Sequence, residues 1–163
     1  MKHALTIAQR ELTSMFCSPI GYAVLGLFSI AAAIQFMFAF DPGEPATLRG
    51  PFQTTVWVLI FLVPALSMRA IAEEQRSGSM ELLMTAPVAD ASVVLGKWLA
   101  AFAFFLTLLA PFVVLWIVME IFADPEWGPF ISGILGLSLV GSLYLSIGIF
   151  ASALTRDQII AFL

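Results

Sequence analysis

The sequence predicts an all-α protein that crosses a membrane several times, and three observations lead there. Hydrophobic residues fill 61% of the 163 positions and charged residues only 11%, against roughly 45–50% and about 25% in an ordinary soluble domain. With a mean hydropathy of +1.01, a water-soluble fold of this length would lack the polar side chains to cover its surface. The apolar residues also gather into charge-free runs at 12–40, 50–68, 98–119 and 127–155. Each is close to or beyond the ~20 residues that a helix needs to cross about 30 Å of hydrocarbon. Finally, the cations take sides. With the N-terminus in the cytoplasm, Lys2, Arg10, Arg69, Arg76, Lys97 and Arg156 are inside, and only Arg49 lies outside, beside Asp41, Glu44, Asp124 and Glu126. That is the positive-inside distribution. The same composition excludes a solvated coil, a disulfide scaffold (one cysteine) and a nucleic-acid coat (net charge −4).

Residues 1–19 are the first element. Ala4, Leu5, Ala8, Leu12, Met15 and Phe16 share one arc of a helical wheel, with Thr6, Gln9, Arg10, Glu11, Thr13 and Ser14 opposite and Ile7 out of place. The pattern predicts an amphipathic helix in the headgroup plane, with Leu5, Leu12, Met15 and Phe16 on its apolar side. Pro19 and Gly21 then turn the chain into the bilayer. A surface helix with no partner would carry the same pattern. Ala31–Ala33 could pass for a signal-peptide cleavage site, but the polar lead is long and the apolar run continues through Phe36, Phe38 and Phe40. An uncleaved anchor is expected.

Four membrane helices follow, at 20–40, 52–68, 98–122 and 130–154, and 158–163 opens a fifth. The second is the least apolar, with Gln53, Thr54, Thr55 and Pro64, which suits a helix facing protein rather than lipid. Glu120, near the outer end of the third, can reach the interface. Ser138, Gly141, Ser142 and Ser146 put small side chains near one side of the fourth, where helix backbones can approach closely. That face is either packing within one subunit or the seam between two copies.

The segment 69–97 is the most informative. The second membrane helix can continue to about residue 76 before Ser77-Gly78 breaks it. Ser79 can cap a new helix and Glu81 is favoured near its start. Met80, Leu83 and Met84 recur at helical spacing, and Pro87 stops the run. Asp90 can cap the next helix, which enters the third span through Gly96-Lys97. A mere connection would need only a handful of residues. A short helix held between two membrane helices, with a Leu/Met face and acidic shoulders, suits docking against a cytosolic partner.

These residues resemble a known family. Glu73 to Val88 (EEQRSGSMELLMTAPV), with the Leu-Gly-Lys exit at 95–97, the opening QRELTSMFCSPIGY at 9–22 and ASALTRDQ at 151–158, is similar to the ABC-2 family of ABC-transporter permeases. Within it the closest likeness is to the gliding-motility and nitrous-oxide-reductase-maturation subgroup. The resemblance implies a permease subunit of a bacterial inner membrane that pairs with a second copy and is driven by a separate ABC ATPase, which holds ATP and Mg. It makes 1–16 an elbow helix and 79–85 a coupling helix. Glu73, Glu74, Arg76, Gly78, Glu81, Leu82 and Leu83 match the ATPase-coupling motif, with Ser79 where Thr is usual and Pro87 closing it. Family members usually have six spans, so a chain that ends while entering a fifth implies C-terminal truncation.

The chain carries no catalytic chemistry of its own. It has no Gly-x-x-x-x-Gly-Lys-Ser/Thr phosphate loop, and one histidine (His3) with one cysteine (Cys17) cannot build a zinc or copper site. Glu73-Glu74 near Arg76 resembles the paired glutamates of CAAX-type intramembrane proteases. That family spaces its Arg differently and needs membrane-embedded histidines, so a solvated charge run is the expectation. The function expected is coupling of a partner's ATP hydrolysis to movement of a substrate that the sequence does not identify. The alternative is a non-transport membrane scaffold that recruits a cytosolic protein through its inner loop.

Overall fold

A computed structural model describes residues 2–39, 47–67, 90–122 and 125–154, and every element among them is an α-helix. They are α1 (Lys2–Cys17), α2 (Pro19–Ala39), α3 (Arg49–Ser67), α4 (Asp90–Leu108), α5 (Ala110–Phe122) and α6 (Trp127–Leu154). The expected helix of 79–85, the extension to residue 76 and the opening of a fifth span lie outside the described residues.

Local chemistry sets the boundaries. α1 ends where Ser18 bonds back to Met15 and Gly21 to Ser18. A side chain on Gly21 would collide with the Met15 carbonyl, so the turn into α2 requires glycine. The Thr47 hydroxyl accepts the Arg49 N–H at 3.2 Å and opens α3 as an N-cap does. The helix that leads into the third expected span, 98–122, begins at Asp90, where the sequence offers a cap, but it breaks at Leu109 into α4 and α5. Pro111 has no N–H for the Thr107 carbonyl, and its ring disfavours a helical residue before it. Three-residue bonds from Leu109 to Leu106 and from Phe112 to Leu109 bridge the gap.

Three helical stretches are long and apolar enough to cross a membrane: Pro19–Phe38, Ala91–Phe122 and Trp127–Ala153. Contacts between helices give their directions. Phe28 meets Phe112 and Gln35 meets Thr54, whereas Phe52 lies on Gly133 and Ser67 on Gly148. Thus α2 runs with α4–α5, and α3 runs with α6 in the opposite sense.

Aromatic side chains fill the interior. Phe28, Phe52, Phe104, Phe105, Phe112 and Trp116 are buried in one cluster with Leu59, Val63, Leu108 and Leu145. Edge-on contacts join Phe52 and Phe28 to Phe112, at 5.2 and 6.1 Å between centroids, the geometry that ring quadrupoles favour. Outside, Leu27, Ile34 and Met37 of α2 and Leu135, Leu139 and Leu143 of α6 are exposed. Such an aliphatic girdle would aggregate in water and suits lipid.

Where lipid surrounds helices, close packing replaces the hydrophobic force between them. Gly133 receives the Phe52 ring, Gly141 the Phe105 ring and Gly148 the Ser67 side chain, and in each case a Cβ would overlap the neighbour. Gly136, by contrast, faces open space. Gly133→Ala is therefore expected to destabilise the fold by about 1–3 kcal/mol through overpacking. Gly136→Ala is expected to be neutral or to stabilise α6 by up to about 1 kcal/mol. Thermal unfolding of the two purified variants in detergent checks the opposite signs.

Candidate functional site

Residues 68–89 lie outside the described residues, and the ends of the flanking helices, Ser67 of α3 and Asp90 of α4, form the candidate site. Lys97 dominates it. Its side chain is only 3% exposed, and Nζ lies 3.5 Å from Oε1 of Glu11 on α1. A buried ammonium without a counter-charge is costly, so α1 supplies the carboxylate that makes this position tenable. Glu11 is 21% exposed and also meets the outward-lying Arg10 at 3.5 Å.

The approach of α1 depends on the residue beside the lysine. A Cβ on Gly96 would stand 2.8 Å from the Ala4 carbonyl oxygen and 2.9 Å from Cγ2 of Ile7, so a larger residue there would push α1 off α4. Ala4 is buried, and Phe16 packs edge-on against Phe104 at 5.3 Å. α1 therefore lies along α4 from Gly96 to Phe104. The expected amphipathic helix thus has a packing partner in α4. Leu12, Met15 and Phe16 pack against the protein core, and of the four expected interfacial residues only Leu5 is mostly exposed, at 63%. Ile7, out of place on the apolar arc, belongs to a second stripe with Ala4 and Glu11 that faces α4.

Two further contacts tie this corner to α6. Trp98 Nε1 donates to Ser146 Oγ at 3.0 Å, and the Ser67 hydroxyl, which returns to the Val63 and Pro64 carbonyls at 3.1 Å, sits against Gly148. Of the predicted packing residues, Gly141 and Ser146 meet α4 within the subunit. The Ser138 and Ser142 hydroxyls bond to their own helix, to Ile134 and Leu139 carbonyls. Farther along, the Gln35 carbonyl oxygen accepts Thr54 and Thr55 hydroxyls at 2.8 and 3.0 Å, the polar α2–α3 contact that the weak second span foreshadows. The buried Trp116 indole N–H has no acceptor among the described residues.

The sequence-predicted coupling residues Glu73, Glu74, Arg76, Gly78, Ser79, Glu81, Leu82, Leu83 and Pro87 lie outside the described residues. Glu11, Gly96, Lys97 and Trp98 are what sequence reasoning passed over. The signal was present: Ile7 and Glu11 are one helical turn apart on the wrong side of the apolar arc. Among the described residues no group of His, Cys, Asp and Glu could hold a metal ion.

Long helices with a buried aromatic core and an apolar exterior define a multi-pass helical membrane protein. The family can also be given. The model of the family described as ABC-2 family transporter protein matches residues 8–162, and the chain belongs to that family. No curated protein matches it.

Two substitutions separate the roles in the ion pair. Glu11→Gln takes the carboxylate from the buried Lys97 and is expected to cost about 1–3 kcal/mol. Lys97→Met leaves Glu11 with Arg10 and solvent and is expected to cost less. Unfolding by titration with a denaturing detergent measures the order.

Proposed function

We propose that this chain is the permease subunit of an ABC transporter in a bacterial inner membrane, of the gliding-motility or nitrous-oxide-reductase-maturation subgroup. Two copies pair in the membrane, and a separate ATPase, which holds ATP and Mg, drives them. The chain itself catalyses no reaction. In this reading α3 is a fourth span; its 19 residues reach about 28 Å at the helical rise. The N-terminus and the 68–89 segment face the cytoplasm, as the lysines and arginines favour.

The observation that carries the reading is the family match over 8–162, joined to what borders the polar segment. A load applied at 79–85 enters α3 at Ser67, which is seated on α6, and α4 at Asp90, which leads to the Gly96–Lys97 contact with α1. Rigid, well-packed helices carry such a displacement where a loose loop would absorb it. Closure of the ATPase on ATP pushes Met80, Leu83 and Met84 and shifts helix packing across the membrane. Glu73, Glu74, Arg76 and Glu81 set the charge of the docking face.

The test uses the complex with the partner ATPase that this reading requires. Glu81→Lys reverses a charge at the docking face and is expected to lower co-purification of the ATPase at least about tenfold. Gly78→Val, which stiffens the break before the coupling helix, is expected to leave binding in place and lower permease-dependent ATP hydrolysis. Unchanged association and unchanged hydrolysis in both variants would contradict the coupling role and favour a scaffold.

A further inference from the structure

One ridge of α3 is bare. Arg49, Gln53, Trp57 and Phe61 recur at the spacing that stacks side chains along a helix surface, and all four are exposed. At ~1.5 Å per residue, Gln53 lies about 6 Å, Trp57 about 12 Å and Phe61 about 18 Å along the axis from Arg49. The chemistry is graded with depth: a cation, an amide, an indole, then a phenyl ring. The polar part of the ridge also holds donors to spare. No carboxylate among the described residues pairs with Arg49, and the Gln53 amide has no hydrogen-bond partner among them. The neighbouring Thr54 and Thr55 donate to Oε1 of Gln35 on α2, which leaves the Gln35 Nε2 hydrogens without an acceptor among the described residues.

Amide N–H groups that face hydrocarbon unpaired are costly, so the ridge calls for a molecule with acceptors at one end and an apolar body at the other. A guanidinium fork matches two phosphate oxygens, and an indole favours the boundary between headgroup and acyl chain. We propose that this ridge holds one anionic phospholipid. Arg49 pairs with its phosphate, the Gln53 and Gln35 amides donate to phosphate or ester oxygens, and Trp57 and Phe61 lie along an acyl chain. A zwitterionic lipid offers the same phosphate but adds an ammonium that opposes Arg49, so the ridge selects for net negative charge. The outer leaflet as the lipid's location rests on the permease reading, in which α3 is a span with Arg49 outside.

A photo-crosslinking side chain tests it in the full chain. Trp57→benzoylphenylalanine keeps an aromatic group on the ridge. Leu139→benzoylphenylalanine is the reference: Leu139 is exposed on α6, and the Phe52–Gly133 and Ser67–Gly148 contacts put it about level with Trp57. Each variant is reconstituted in vesicles of equal phosphatidylglycerol and phosphatidylcholine and irradiated, and the adducts are identified by mass spectrometry. Position 57 is expected to take phosphatidylglycerol about fivefold over phosphatidylcholine, the scale for one cation beside anionic lipid. Position 139 is expected to take both alike. Arg49→Gln should bring the ratio at 57 to that at 139, and Gln53→Leu should lower it part of the way. Arg10→Ala, which removes an outward-lying cation of α1, should leave it unchanged.

Equal ratios at 57 and 139 in the chain with Arg49 intact would overturn the proposal and make Arg49 and Trp57 ordinary interface anchors. Adducts at 57 that join two copies of the chain would also overturn it, because the ridge would then be the seam between them. Sidedness is read separately, from Thr47→Cys with the exposed Cys17 replaced (C17S). Labelling of Thr47→Cys by an impermeant maleimide only in inverted vesicles, with the fivefold preference intact, would sink the orientation in the permease reading and leave the lipid site standing.

Discussion

Ala4 and Ile7 can lie directly on α4 because Gly96 has no side chain, and that close approach brings Glu11 to 3.5 Å from the buried Lys97. Neither half works alone. Without the glycine the carboxylate cannot reach; without the carboxylate the buried lysine loses a counter-charge. The path of the first helix and the burial of Lys97 both follow from this one junction. It also gives the N-terminal helix a fixed place, where an amphipathic helix on a lipid surface would be free to turn and slide.

The same economy recurs elsewhere in the bundle. Between helices in lipid there is no water to expel, so association comes from close contact and from polar groups that have no better partner. Gly133, Gly141 and Gly148 each accept a neighbouring side chain, and Gln35 gathers two threonine hydroxyls from α3. Pro111 does the reverse: it interrupts α4–α5 in the middle of the membrane stretch, and the buried Leu108, Leu109 and Phe112 surround the break.

Much of this was legible in the sequence, for reasons that are specific. Long charge-free runs mark helices because every backbone polar group in lipid must be satisfied within its own helix, and α2 and α6 follow the runs closely. The break at Ser18–Pro19 was readable because proline and glycine change backbone freedom locally. What stayed hidden depends on partners far along the chain. Gly96 looks like any helical glycine until Ala4 is laid on it, and Lys97 counts toward the positive-inside total without revealing that it is buried. In the small-residue stripe of α6, Gly141 and Ser146 meet α4, while the Ser138, Ser142 and Ser146 hydroxyls all bond back to their own helix, a detail that spacing alone cannot express. Pro111 was a readable breaker, though its effect was masked by the unbroken hydrophobicity around it.

Sidedness of the 68–89 segment tests the account most directly, since every step from docking to helix displacement requires it in the cytoplasm. Met80→Cys in the Cys17→Ser background can be probed with a membrane-impermeant maleimide, in intact cells and in inverted vesicles. The account predicts labelling in inverted vesicles, protection in intact cells, and loss of vesicle labelling when the ATPase is bound. Labelling of Met80→Cys from outside intact cells would contradict it.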